Sequence, residues 1–119
     1  MKFQYKEKYS LEERIKIGEN LARNHPNCAF VILERSPSAL LPQMPRSNYV
    51  VAYEMTVGHF FYLLRKKMAL RPEEACFFFI ESMIVPADST RMETLSQRFA
   101  DKDGLIYMVY SDVNIFVDE

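Results

Sequence analysis

An α+β domain is predicted by three features of this chain. A helical stripe opening at Thr56 is followed closely by three consecutive aromatics, Phe77-Phe78-Phe79. Two runs, Cys28 to Glu34 and Leu105 to Tyr110, are apolar at almost every position, as strands covered on both faces are. A capped helix precedes the first of these runs. Helices and strands mixed in this order pack as helix layers on one small sheet.

The elements follow in order. Ser10-Leu11-Glu12-Glu13 fits a capping box, with Ser10 as cap and Glu13 at the third helical position. Leu11, Ile15, Gly18, Leu21 and Ala22 then share a helical stripe, and His25-Pro26-Asn27 stops it. Cys28 to Glu34 reads as a buried strand and Tyr49 to Tyr53 as a second one. Between them, SPSALLPQMPRS carries Pro37, Pro42 and Pro45, and is long for a hairpin connection. Thr56 caps a helix whose Val57, Phe60, Phe61, Leu64 and Met68 recur at spacings of three and four. Arg65, Lys66 and Lys67 gather where cations suit the helix dipole. Arg71-Pro72-Glu73-Glu74 interrupts the pattern before the strand Cys76 to Ile80. Thr90-Arg91-Met92-Glu93 offers a second capping box for a helix through about Phe99. Asp101-Lys102-Asp103-Gly104 is a turn, and Leu105 to Tyr110 the final strand.

At 119 residues the chain suits one domain with a sizeable core, and its formal charge of -1 selects neither nucleic acid nor membrane. Charge is uneven, however. Residues 1–24 carry six Lys/Arg against four Glu, whereas from Asp101 onward five acids face Lys102 alone. Cys28 and Cys76 sit in apolar runs without a CxxC or metal-ligand spacing, which reads as two buried thiols in a reducing compartment. No signal peptide or membrane-spanning run is visible, so a cytoplasmic protein is expected. His25 and His59 have no nucleophile or carboxylate arrangement beside them, so neither catalysis nor a metal or cofactor is expected.

The block TVGHFFYLLRKKMALRPEEACFFF, the opening MKFQYKE, the His25-Pro26 helix stop, the strand Phe30 to Glu34, and Leu105 to Tyr110 followed by Ser111-Asp112 lie in one order along the chain. Together they resemble the autophagy ubiquitin-like modifiers, the GABARAP and microtubule light-chain group. The resemblance implies a ubiquitin-like β-grasp with an N-terminal two-helix extension. Its divisions would be residues 1–26 for the extension, 27–112 for the core and 113–119 for the tail. It implies a non-enzymatic, monomeric modifier that is joined by activating and conjugating enzymes, after a processing protease, to phosphatidylethanolamine on autophagosomal or vesicle membranes. It further implies binding of acidic aromatic-x-x-aliphatic peptides from cargo receptors and adaptors. A cytoskeletal or vesicle-trafficking module using the basic N-terminus is the alternative.

The peptide would add as a strand to the second strand, at the sheet edge. Alternation then sends Tyr49 and Val51 towards the Thr56 helix, and Asn48 and Val50 towards the N-terminal helices. The resemblance places an aromatic pocket at Ile17, Leu21, Phe30, Val50 and Leu105, with Arg46 at its rim. It places an aliphatic one at Tyr49, Val51, Ala52, Met55, Phe60, Leu63 and Leu64, with Lys67 in the same site. A micromolar affinity, about -8 kcal/mol, is expected. Ile17, Cys28, Phe30 and Asn48 depart from the family's common Glu, Arg, Pro and Lys, which predicts an altered peptide preference. Phe77, Phe78 and Phe79 lie in the family's second docking region, and alternation predicts that at least one points outward. Val117 follows the aromatic Phe116 where the family has its conjugated Gly. Its β-branch predicts that ordinary conjugation fails there.

Overall fold

The computed structural model describes residues 2–116 of the chain. Helices α1 (Gln4–Lys8) and α2 (Leu11–Asn24) lead into strand β1 (Cys28–Arg35), and strand β2 (Asn48–Ala52) turns into helix α3 (Val57–Lys67). Strands β3 (Phe77–Ile80) and β4 (Met83–Ile84), helix α4 (Met92–Phe99) and strand β5 (Ile106–Ser111) complete the order. The sheet runs β2-β1-β5-β3-β4, with β1 and β5 parallel at its centre and the other pairs antiparallel. This is the expected β-grasp with two N-terminal helices.

Both faces of the sheet are covered, which explains why β5 is buried at every position. On one face, α3 lays Val57, Phe60, Phe61, Leu64 and Met68 against Val31, Leu33, Phe78, Met108 and Tyr110. Phe61 stacks on Phe78 with ring centroids 4.1 Å apart. On the other face, Phe30, Ile32, Leu105 and Tyr107 form a smaller cluster, onto which Phe3, Tyr5, Leu21 and Cys28 pack. The α3 start is as expected: the Thr56 hydroxyl accepts the His59 amide at 3.1 Å.

The Ser10–Glu13 capping box of α2 forms in full, but the buried stripe is rotated from the expected one. Gly18 is buried as expected, with Ile15 and Leu21 half-buried, but Leu11 and Ala22 are exposed and Arg14 is buried instead. The reason is the 101–104 turn. Asp103 is buried and accepts from Arg14 Nε at 3.2 Å, from the Tyr107 hydroxyl at 2.5 Å and from the Leu105 amide at 2.9 Å. A side chain at residue 18 would place its Cβ 2.1 Å from the Asp103 carbonyl oxygen, so only glycine permits this approach.

Helix α1 is attached by distant groups. The Glu34 carboxylate accepts the Gln4 and Tyr5 amides at 2.8 and 3.0 Å. Lys6 donates to Asp101 at 2.7 Å and lies over the Tyr107 ring, while Phe3 meets the same ring edge-on at 5.2 Å. The Thr90 capping box does not form. The cap of α4 is Arg91, without a side-chain bond. Thr90 instead gives its amide to Asp88 and accepts the Val57 amide, and is thereby committed to the start of α3.

The expected outward Phe in β3 is also corrected. Phe78 and Phe79 are buried on opposite faces, and Phe77 is half-buried. Phe79 is covered by Phe116 from beyond β5, at a centroid distance of 5.1 Å. The three rings therefore do not form an exposed aromatic surface.

Candidate functional site

Among the described residues, strand β2 pairs only with β1 and so leaves one edge free. The register decides which of its groups are unpaired. The Leu33 amide donates to the Ser47 carbonyl at 2.7 Å, and the Tyr53 amide to the Asn27 carbonyl at 2.9 Å. In an antiparallel ladder the bonded positions alternate. Residues 47, 49, 51 and 53 therefore bond inward, and the amides and carbonyls of Asn48, Val50 and Ala52 face the open edge. An extended chain can pair with that edge, as any unprotected sheet edge allows.

Side chains alternate as expected. Tyr49 and Val51 are buried on the α3 face, with Tyr49 edge-on to Phe60 at 6.0 Å. Asn48, Val50 and Ala52 are exposed, Val50 at 46%. Val50 lies opposite Phe30 in the ladder, above the Phe30–Leu105 cluster. A shallow groove of about 650 Å³ runs along the first half of β2, lined by Pro45, Arg46, Ser47, Asn48, Tyr49, Val50 and Lys67. Tyr49 Oη donates to the Arg46 carbonyl at 3.1 Å, and Lys67 Nζ sits 5.7 Å from the Tyr49 ring centre. Burial raises the Tyr49 phenol above its ordinary value, so it stays neutral and donating at physiological pH.

The expected pocket residues divide by accessibility. Arg46, Asn48, Val50, Ala52 and Lys67 are exposed, and Ile17, Leu21, Met55 and Leu63 are half-buried. Leu105 is fully enclosed, and Phe30, Val51, Phe60 and Leu64 are nearly so. In this conformation Leu105 can touch no ligand, which corrects its place in the aromatic pocket. Its role is to hold Phe30 and Tyr107 in the smaller cluster. Phe30, the cross-strand partner of Val50, is buried in that cluster rather than open to a ligand.

A second cleft, of about 520 Å³, continues from Ser47 and Asn48 towards α1, where Lys2, Lys8, Arg35 and Glu34 line it. Nothing in the chain's periodicity pointed to this cleft, because its walls come from α1, β1 and the β1–β2 loop. Cys28 and Cys76 are both half-buried and unbonded to each other. Among the described residues, no group of three or more His, Cys, Asp or Glu is arranged to hold a metal ion. No described helix is long and apolar enough to cross a membrane. The expected conjugation position, Val117, lies outside the described residues.

Comparison with known proteins agrees with this architecture. The family model described as "Autophagy protein Atg8 ubiquitin like" matches residues 13–117. The crystal structure of Trypanosoma brucei ATG8 superposes with a TM-score of 0.85 at 28% sequence identity, covering 93% of this chain and 95% of that one. The fold, its two added helices and the near full-length family match lead to one conclusion: the chain belongs to the Atg8 family of autophagy ubiquitin-like modifiers.

Proposed function

We propose that this chain is a non-enzymatic adaptor of the GABARAP and light-chain type, which binds acidic aromatic-x-x-aliphatic peptides of autophagy receptors along the free edge of β2. The observation that carries the reading is the outward row of main-chain groups at Asn48, Val50 and Ala52. A peptide strand gains hydrogen bonds there whatever its side chains are, and neighbouring surface then sets preference. On one side lie Met55, Leu63 and Lys67, half-buried or exposed next to the Tyr49–Phe60 pair. They suit the aliphatic residue. On the other side lie Val50, opposite Phe30 in the ladder, and Leu21, packed on the Phe30 cluster, with the half-buried Ile17 on the same helix as Leu21. They suit a flat aromatic seated shallowly rather than deeply. Arg46 and Lys67 supply positive charge for the acidic flank. One aromatic and one aliphatic burial contribute roughly 1.5–3 kcal/mol each before ordering costs, and main-chain bonds and charge contacts must supply the rest of a micromolar affinity.

Conjugation to phosphatidylethanolamine through residue 117 is disfavoured in this reading. The activating and conjugating enzymes must bring an unhindered carboxyl to their thioester sites, and Val117 presents a β-branch instead. The adaptor role then operates without the lipid, and a vesicle location follows from bound receptors. Calorimetric titration of a Trp-x-x-Leu peptide into the wild-type chain and Val50→Asp tests the peptide site. Loss of affinity in the variant supports it, and equal affinity sends the peptide elsewhere. Incubation with activating and conjugating enzymes and phosphatidylethanolamine tests the second point, and a lipid adduct found by mass spectrometry would refute it.

A further inference from the structure

Leu40 is 88% exposed, the most exposed of the large apolar side chains among the described residues. Its exposure is built into the β1–β2 loop. Ala39, Leu41 and Met44 on either side are buried. The Tyr110 hydroxyl donates to the Pro42 carbonyl at 2.8 Å and accepts the Met44 amide at 3.1 Å. Arg35 Nη1 donates to the Leu41 carbonyl at 2.9 Å, and the Leu40 amide itself donates to Asp112 at 2.9 Å. With its main chain held on both sides, Leu40 cannot turn inward without breaking these bonds.

The bond to Asp112 places Leu40 beside the start of the tail, where Val113, the residue after Asp112, is 52% exposed. The loop's shoulders, Pro37 and Gln43, line the cleft beside α1 together with Lys2, Lys8 and Arg35. Glu34, which accepts the Gln4 and Tyr5 amides, and Asp112, which accepts the Leu40 amide, keep their negative charge, so three cations stand here against two carboxylates. One end of the molecule thus presents an aliphatic tip backed by cations. A surface that offers phosphates above hydrocarbon is complementary to that pair of features.

We propose that the Leu40 loop is a membrane-contact tip that inserts into anionic lipid while Lys2, Lys8 and Arg35 engage the headgroups. It goes beyond peptide binding and needs no conjugated lipid. The contact is weak and reversible, since a single aliphatic side chain and a few cations anchor far less than an acyl chain. It sets orientation: the tail end faces the bilayer and the basic cleft lies against it.

The absence of Trp from the chain makes the test direct. Leu40→Trp installs a sole reporter on the tip, and Tyr62→Trp installs one at a 59% exposed site on α3. With phosphatidylserine-containing vesicles at low salt, Leu40→Trp fluorescence shifts to the blue and Tyr62→Trp does not. Neutral phosphatidylcholine vesicles produce no shift in either. Lys2→Gln and Lys8→Gln in the Leu40→Trp background each lower vesicle partitioning about fivefold. The proposal is overturned if the Leu40→Trp emission is unchanged by anionic vesicles, as it would be for a tip that fits a protein socket. It is equally overturned if both reporters shift alike, which would mean unoriented adsorption.

Discussion

Arg14 in α2 and Asp103 in the turn before β5 form a buried ion pair at 3.2 Å, and Gly18 one turn further along α2 touches the main chain of the same Asp103. Besides the packing of Leu21 on the Phe30 cluster, the second helix is thereby locked to the ubiquitin-like core at Asp103. Removing Arg14 leaves the enclosed Asp103 carboxylate with only Tyr107 and Leu105 as donors. Arg14→Met is expected to lower unfolding free energy by roughly 3 kcal/mol, the low end for breaking a buried pair, because those two donors remain. Denaturant unfolding of the variant checks it, and a loss under about 0.5 kcal/mol would show that the pair does not hold α2.

Gly18→Ala is expected to destabilise although alanine favours helices by about 1 kcal/mol. The new Cβ would fall 2.1 Å from the Asp103 carbonyl oxygen, a backbone atom that cannot step aside alone. A rise in melting temperature for this variant would contradict the close approach.

Val50→Asp separates binding from folding. Val50 is 46% exposed and its side chain belongs to neither core cluster. Stability should stay within about 0.5 kcal/mol of wild type. Peptide affinity should fall about tenfold, close to 1.4 kcal/mol, through lost apolar contact and repulsion of an acidic ligand. Thermal melts and peptide titrations on one preparation check both halves.

Asp101 reports on the attachment of α1. The hydrogen bond from Lys6, aided by the Lys102 amide, holds its carboxyl below the usual carboxylate range. A carboxyl lowered by folding contributes stability above its unfolded value of about 3.9, and loses it as pH falls through the folded value. Both partners are 38% exposed, so solvent screens the pair and the effect on global stability is small. The measurable outcome is local. In an NMR titration, Lys6→Met should raise the Asp101 pKa and loosen Phe3 and Tyr5 from Tyr107.

Cys76 should be a slow nucleophile. Burial pushes its thiol up to about 11, with Asp112 adding to the rise and Arg65 opposing it. Its alkylation, followed by peptide mass spectrometry, should therefore accelerate about tenfold per pH unit well beyond pH 9, since the thiolate is the reacting form. A plateau near pH 8.5 would mean an ordinary exposed thiol.

Much of the fold was legible because it rests on local rules. The Ser10–Glu13 box, the Thr56 cap and the alternation of Tyr49, Val50 and Val51 need only near neighbours in sequence. What was not legible depends on distant partners. Helix α1 is five residues long and is capped by Glu34, about thirty positions away. The true buried stripe of α2 is centred on a charged residue because Asp103 waits across from it. Thr90 carries a capping pattern but is taken by Asp88 and Val57. In the candidate site, periodicity identified the edge strand and its two faces. It could not tell ligand-facing residues from core ones, so Leu105, Phe60 and Leu64 were expected in pockets that they only support from beneath. The Phe77–Phe79 run misled for a related reason: Phe79 is covered by Phe116, well along the chain, and only Phe77 stays half-buried.

The central claim is that the open edge of β2 receives the peptide. An NMR titration of the labelled chain with an acidic Trp-x-x-Leu peptide, alongside the same peptide with both anchors changed to Ala, tests it most directly. The account predicts shifts centred on Arg46 to Ala52 and on Met55, Leu63 and Lys67, which vanish with the double-Ala peptide. No shifts at millimolar peptide, or shifts that fall instead around Tyr62 and Phe77, would contradict it.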